Sequence, residues 1–189
     1  MSRMLAFASA VLLLVAPAVV QAQAPSVHPG TKLSFGPVVG PARFESSNHT
    51  NAIPGGRSAS DTYAYSVGKM QITVDVFDAG RRVPPSSTNP TVANQFDSEI
   101  ATAEQQIRAA GYTRFERPTV PSTCTYGAVS FRCIVYSAQS GSTRLYSKTM
   151  LTGYNSYFVK VTIIWSIGDR NTVVDADQAL NGFVPALMR

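Results

Sequence analysis

Three extended stretches in the second half of the chain follow one another too closely to be anything but antiparallel neighbours. They are the segment from Ser122 to Ser137, then "TRLYSKTMLT" (Thr143 to Thr152), then "SYFVKVTIIWS" (Ser156 to Ser166), joined only by "QSGS" and "GYNS". A parallel pair needs a crossover of a dozen or more residues, so links this short reverse the chain directly. Upstream, "TYAYSVGKMQITVDVFDAG" alternates with Ile72, Val74 and Val76 on one face and predicts a hairpin turning near Gly68 and Lys69.

Between these strand groups the period changes. Val92, Phe96, Ile100, Ala103 and Ile107 recur every three or four residues and predict a helix from about Pro90 to Ala110. Asn89 suits its cap, Pro90 its first position and Gly111 its end. A second helical pattern, Val173, Leu180, Val184 and Leu187, lies in "DRNTVVDADQALNGFVPALMR", with Pro185 breaking its last turn. Strands, helix, strands, helix with tight turns predicts an α+β fold: one antiparallel sheet with both helices packed on one face. "KLSFGPVVGPARFESS" reads as one or two short irregular strands and "NHTNAIPGGRSASD" as a loop.

The beginning of the chain carries a different signal. "MSRMLAFASAVLLLVAPAVVQAQA" has a basic residue, an apolar run from Leu5 to Val15 and small residues near Ala22, the pattern of a secretory leader cleaved after residue 22. Its apolar core is shorter than the ~20 residues a membrane-crossing helix needs. The expected mature protein is therefore exported, periplasmic or extracellular, with no transmembrane segment. Residues 23–31, "QAPSVHPGT", read as a flexible N-terminus and 32–189 as a single α+β domain. The formal charge of +5 falls by one if Arg3 leaves with the leader, and the remaining excess is scattered. That argues against nucleic acid as a partner.

Export changes the meaning of the two cysteines. Eight residues intervene between Cys124 and Cys133 in "CTYGAVSFRC", unlike the two that intervene in thioredoxin-type redox pairs. A straight strand would hold them ~30 Å apart, against the ~6 Å between α-carbons that a disulfide spans. The chain is expected to fold back around Tyr126, Gly127 and Ala128 and close a structural disulfide.

No catalytic constellation is visible. His28 and His49 both precede the patterned core and read as solvated loop residues. Asp75 and Asp78 are three apart on a strand and so face opposite ways; Asp97 and Glu104 fall on the polar side of the first helix, and Asp175 and Asp177 near the start of the second. No motif gathers metal ligands or cradles a phosphate, so neither a metal nor a cofactor is expected.

The strand ending at Trp165 places Tyr157, Val159, Val161, Ile163 and Trp165 toward the helices. The same reasoning turns Leu145 and Leu151 inward with Val129, Phe131, Cys133 and Val135. It leaves Arg132, Tyr136, Arg144, Tyr146, Lys148, Phe158 and Lys160 on an outer aromatic and basic face with Asp75 nearby. That face reads either as an ordinary solvated sheet surface, with basic stems lying over the rings, or as a docking face for an anionic or aromatic partner, such as an envelope protein or polysaccharide.

The run "ITVDVFDAGRRVPPSSTNPTVANQFDSEIATAEQQI", followed by "SYFVKVTIIW" and a terminal helix, resembles uncharacterised exported bacterial proteins. In outline it is similar to the PsbP/Mog1-like group of α+β sandwiches. The resemblance covers two thirds of the expected mature chain, carries over no functional residue, and implies an accessory role in a larger assembly. The expectation is thus an exported, non-catalytic binding or accessory protein of the cell envelope. The alternatives are a small secreted hydrolase using carboxylates and a periplasmic stress or assembly factor that binds exposed chains.

Overall fold

The computed structural model of the chain describes residues 26–51, 59–78, 80, 82–166 and 172–189. The leader read at 1–22 lies outside the described residues. Among the described residues, eleven strands and two helices follow in order: β1 (Ser26–Val27), β2 (Ser34–Phe35), β3 (Val38–Val39), β4 (Ala42–Thr50), β5 (Ser60–Val67), β6 (Met70–Phe77), α1 (Pro90–Ala109), β7 (Arg114–Glu116), β8 (Ser122–Tyr126), β9 (Val129–Ser140), β10 (Thr143–Tyr154), β11 (Tyr157–Ser166) and α2 (Val173–Leu187). Among the described residues, no helix is long and apolar enough to cross a membrane.

The main sheet is antiparallel, with strand order β3-β4-β5-β6-β11-β10-β9-β7 and β8 also pairing with β9. A separate two-stranded sheet joins β1 to β2, so the single sheet expected from the sequence is one large sheet and a small one. The tight turns are where the sequence puts them. Asn155 and Ser156 both take positive φ between β10 and β11, the twist-matched geometry of a two-residue hairpin loop. Gly68 and Gly141 supply positive φ between β5 and β6 and between β9 and β10. β4 extends through Asn48, His49 and Thr50, and β5 begins at Ser60, so both ends of the stretch read as a loop are strand.

α1 forms as its sequence predicts. The Asn89 side chain accepts a hydrogen bond from the Thr91 N–H, Pro90 opens the first turn, and Val92, Phe96 and Ile100 are buried. α2 begins at a reciprocal cap between Thr172 and Asp175. It buries Ala176, Ala179, Leu180, Phe183, Val184 and Leu187, whereas Val173, expected inside, is 40% exposed. Pro185 sits in the final turn, where little helix remains to disrupt, and its ring packs at Gly127.

The two helices cover opposite faces of the sheet, which corrects the expectation of one shared face. Phe96 and Ile100 of α1 pack with Ile134, Leu151 and Phe158. Leu180, Phe183 and Leu187 of α2 pack with Ile72, Val74, Val161, Ile163 and Trp165. Successive residues of β11 therefore alternate between the two helices, Val159 and Val161 toward α2 and Phe158 and Lys160 toward α1. The parity expected for β10 is corrected as well. Met150 pairs with both Cys133 and Val161 and shares their face, while Leu151 pairs with Arg132 and Lys160 and lies on the α1 side. Paired residues in a pleated sheet share a face, so Leu145 and Leu151 cannot lie with Cys133.

The cysteines do close a disulfide. Cys124 on β8 and Cys133 on β9 stand 6.0 Å apart between α-carbons, and the chain reverses at Gly127, which takes positive φ. α2 lies so close to the turn after β3 that a Cβ on Gly40 would collide with the Gly182 carbonyl. Gly40 also holds a positive φ of 55°, so the position excludes side chains twice over.

Candidate functional site

The seven residues expected on one outer face are divided between the two sides of the sheet. Arg132, Tyr136, Phe158 and Lys160 lie on the α1 side, while Arg144, Tyr146 and Lys148 lie on the α2 side. Their partners show what each does. Phe158 is fully buried beneath α1, and Tyr136 packs at 5.0 Å from Phe115. The Arg132 guanidinium stands 5.8 Å from the Phe96 ring centroid. Tyr146 stacks on Trp165 at 5.7 Å, with Arg144 over its ring and bonded to Glu116 at 2.7 Å.

Lys148 is only 8% exposed, and its ammonium donates to Asp177 at 2.6 Å and to the Tyr126 hydroxyl at 2.8 Å. Burial first, and then the hydrogen bond to Asp177, hold the Tyr126 hydroxyl well above its ordinary pKa. This cluster ties β8, β10 and α2 together, so Lys148 has a structural position rather than a docking one.

What the α1 side builds instead is a groove. α1 covers the sheet over Phe158, Leu151 and Ile134, and beyond them the sheet floor turns polar. Thr73, Thr162 and Thr149 stand in register across β6, β11 and β10, with Ser147 two residues along. Ala103 and Ile107 of α1 form one wall, and Leu145 and Ile164 contribute to the rim. The half-open groove has a volume of about 270 Å³, just below the range of roughly 300–1,000 Å³ usual for ligand pockets.

Two features set this groove apart from a solvated sheet surface. Ser147 is 5% exposed, and among the described residues its Oγ has no hydrogen-bond partner. A buried hydroxyl without a partner is uncommon and costly, and it is satisfied by whatever enters beside it. The second feature is an ion triad. Lys160 Nζ lies 2.9 Å from Asp75 Oδ2 and 2.8 Å from Glu99 Oε2, with all three side chains about four-fifths buried. Burial opposes the charge on Lys160, but the combined attraction of Asp75 and Glu99 outweighs it and raises the pKa above its ordinary value.

The carboxylate pair that the fold brings together is therefore Asp75 with Glu99. Glu99 was missed because it reads as part of the polar side of α1. Its signal is its place three residues after Phe96 and four before Ala103, at the edge of the buried stripe. Ser147 was missed with the parity of β10.

The histidines also differ from the reading of solvated loops. His28 is 5% exposed and accepts from the Thr31 N–H at Nδ1, which places its proton on Nε2, 3.0 Å from Asp61 Oδ2. His49, on β4, meets the other oxygen of Asp61 through Nδ1 at 2.6 Å, and its Nε2 meets Asn51 Oδ1 at 3.1 Å. Desolvation lowers the pKa of His28 against the pull of Asp61. Hydrogen bonds donated by the His49 ring to Asp61 and Asn51 raise the pKa of His49. A nucleophilic triad would need a hydroxyl or thiol at Nε2 of His49, and that nitrogen faces an amide oxygen. Thr31 is fully buried, so the described part of the stretch read as a flexible N-terminus is packed against the domain at this clasp.

A second hollow of about 370 Å³ lies beside Asp97, between Arg117 and Arg132, and is mostly polar. It contains the other buried atom without a partner among the described residues, Arg132 Nε, but lacks the apolar walls that Ala103, Ile107, Leu145 and Ile164 give the groove under α1, which is the stronger candidate. No protein-family model matches the chain, and neither the curated proteins nor the solved structures give a match.

Proposed function

We propose that the protein is an exported, periplasmic, non-catalytic binding or accessory component of the cell envelope, and that the groove under α1 is its binding element. The unpartnered, buried Ser147 hydroxyl inside a cavity of about 270 Å³ carries the reading. A buried hydroxyl in that position is placed to hydrogen-bond a group that occupies the cavity. Export is supported by the leader-like sequence and by a disulfide, which persists in oxidising compartments. The accessory half of the reading draws on the resemblance to PsbP/Mog1-like sandwiches. A groove of this size admits one small molecule or one group of a larger envelope partner.

The non-catalytic reading is supported by the way the carboxylates are held. Asp75 is engaged by Lys160 and Thr62, and Glu99 by Lys160 and Gln95, so each oxygen already has a donor. A hydrolytic pair needs one carboxyl free to give a proton and another free to attack or to activate water.

Expression of the full chain in a Gram-negative host tests the proposal. The expected product is recovered from the periplasm with residues 1–22 removed, and a small molecule co-purifies with it. That molecule is absent from an Ala103→Phe variant with the same melting temperature, because Ala103 lines the groove. An intact N-terminus on protein held in the cytoplasm would overturn export, and identical retention by the variant would overturn the groove.

A further inference from the structure

We infer that the groove under α1 takes a small amphipathic amine: an apolar chain or ring of the cavity's size, ended by a protonated amino group. The inference rests on the groove being the binding site proposed above, and it reverses the anionic partner that the basic residues of the sequence suggested.

Charge decides the sign of the ligand. Asp75 and Glu99 are the acidic residues lining the groove and Lys160 the basic one, so the charged lining sums to one negative unit. The Lys160 ammonium is already held between the two carboxylates. An anion entering the groove meets a cation that is neutralised twice and a net negative field that the low dielectric strengthens. A cation meets the opposite. Asp75 Oδ1 accepts one hydrogen bond, from the Thr62 hydroxyl at 2.7 Å, and Glu99 Oε1 accepts one, from Gln95 Nε2 at 2.8 Å. Carboxylate oxygens offer about two acceptor sites each, so both carboxylates have capacity left for an ammonium.

Polarity and shape agree with that choice. The buried Ser147 hydroxyl has no partner among the described residues and can accept from an N–H donor. Tyr136 adds an aromatic ring to the lining, a surface that favours cations over anions. Ala103, Ile107, Leu145 and Ile164 provide the apolar walls that a hydrocarbon body needs.

Isothermal titration of the full chain with n-octylamine, n-octanol and n-octanoate at pH 7, each below its micellar concentration, separates the possibilities. Octylamine is expected to bind about tenfold or more tightly than octanoate, with octanol between them and the amine alone weakened by added salt. Glu99→Gln neutralises the charged lining and is expected to bring amine and carboxylate within about threefold of each other. If that variant does not fold, the salt dependence in the parent protein makes the same discrimination. Equal binding of all three compounds, or tighter binding of octanoate, overturns the amine inference and leaves the groove standing. Binding of none overturns both.

Discussion

The two faces of the main sheet are built from the same strands and hold the molecule in different ways. Toward α2, the sheet presents Ile72, Val74, Val76, Val159, Val161 and Ile163, each no more than 1% exposed, against Leu180 and Phe183. Toward α1, the alternate residues of the same strands include Thr73, Asp75, Lys160 and Thr162 beside a smaller apolar patch. The α2 face is a largely apolar, buried core, with the Lys148 cluster at its edge. The α1 face carries an apolar anchor at one end and leaves room and unspent polarity at the other. Adjacent residues of β6 and β11 thus face the buried core and the proposed binding groove separately, so the two can be perturbed independently.

The largest expected effect is on the α2 face. Phe183→Ala removes a fully buried ring that also packs edge-on against Tyr65 at 5.2 Å, and should cost about 3–5 kcal/mol in urea unfolding. Affinity for a groove ligand, measured where the variant remains folded, should not change. A comparable loss of affinity would break the separation of the two faces. Next comes the disulfide, which pins β8 to β9 on the same side. Replacing Cys124 and Cys133 with Ser should cost roughly 2–3 kcal/mol by the loop-entropy argument, again with the groove unaffected.

The polar half of the α1 face gives a smaller effect with a pH signature. Lys160→Met leaves Asp75 and Glu99 facing each other without a counter-charge and should cost about 1–3 kcal/mol at neutral pH, less than for a fully buried pair because the triad is partly solvated. Since the folded protein raises the pKa of Lys160 above 10.5, the folded state binds its proton more tightly than the unfolded one. The contribution is complete below pH 10.5 and fades as pH rises through the folded value. The stability gap between parent and variant, followed by chemical denaturation from pH 8 to 11.5, should therefore hold and then narrow. A gap that widens with alkalinity would contradict the triad.

Those contrasts also explain which parts of the fold were legible. α1 was readable because its cap, first proline and apolar stripe agree, and β6 and β11 because one parity is plainly the more apolar. β10 was not. Leu145, Ser147, Thr149 and Leu151 on one side and Tyr146, Lys148, Met150 and Thr152 on the other are equally mixed. Only the pairing of Met150 with Cys133 and Val161 fixes its parity. The same ambiguity misassigned the helices. An apolar stripe says that a helix is covered but not which face covers it, and on β11 both Phe158 and Val159 are fully buried. The expected docking face combined residues from both sides for this reason, and the groove, which depends on parity, stayed hidden.

The smallest expected effect lies away from both faces, where His28 and His49 share Asp61 and their shifts oppose one another. Burial lowers the pKa of His28, so the unfolded chain binds that proton more readily, and stability falls as pH drops below 6.5. Asp61 and Asn51 raise the pKa of His49, so the folded chain binds that proton more readily, and stability falls as pH rises above 6.5. Together they place a shallow maximum near pH 6.5 in the melting temperature. His49→Gln should remove the decline on the alkaline side and keep the acid one, and His28→Gln should do the reverse. Thermal unfolding of the parent and both variants between pH 5 and 8 reads both slopes directly. A parent curve that is monotonic, with variants that parallel it, would mean that Asp61 does not couple the N-terminal segment to β4 through its two histidines.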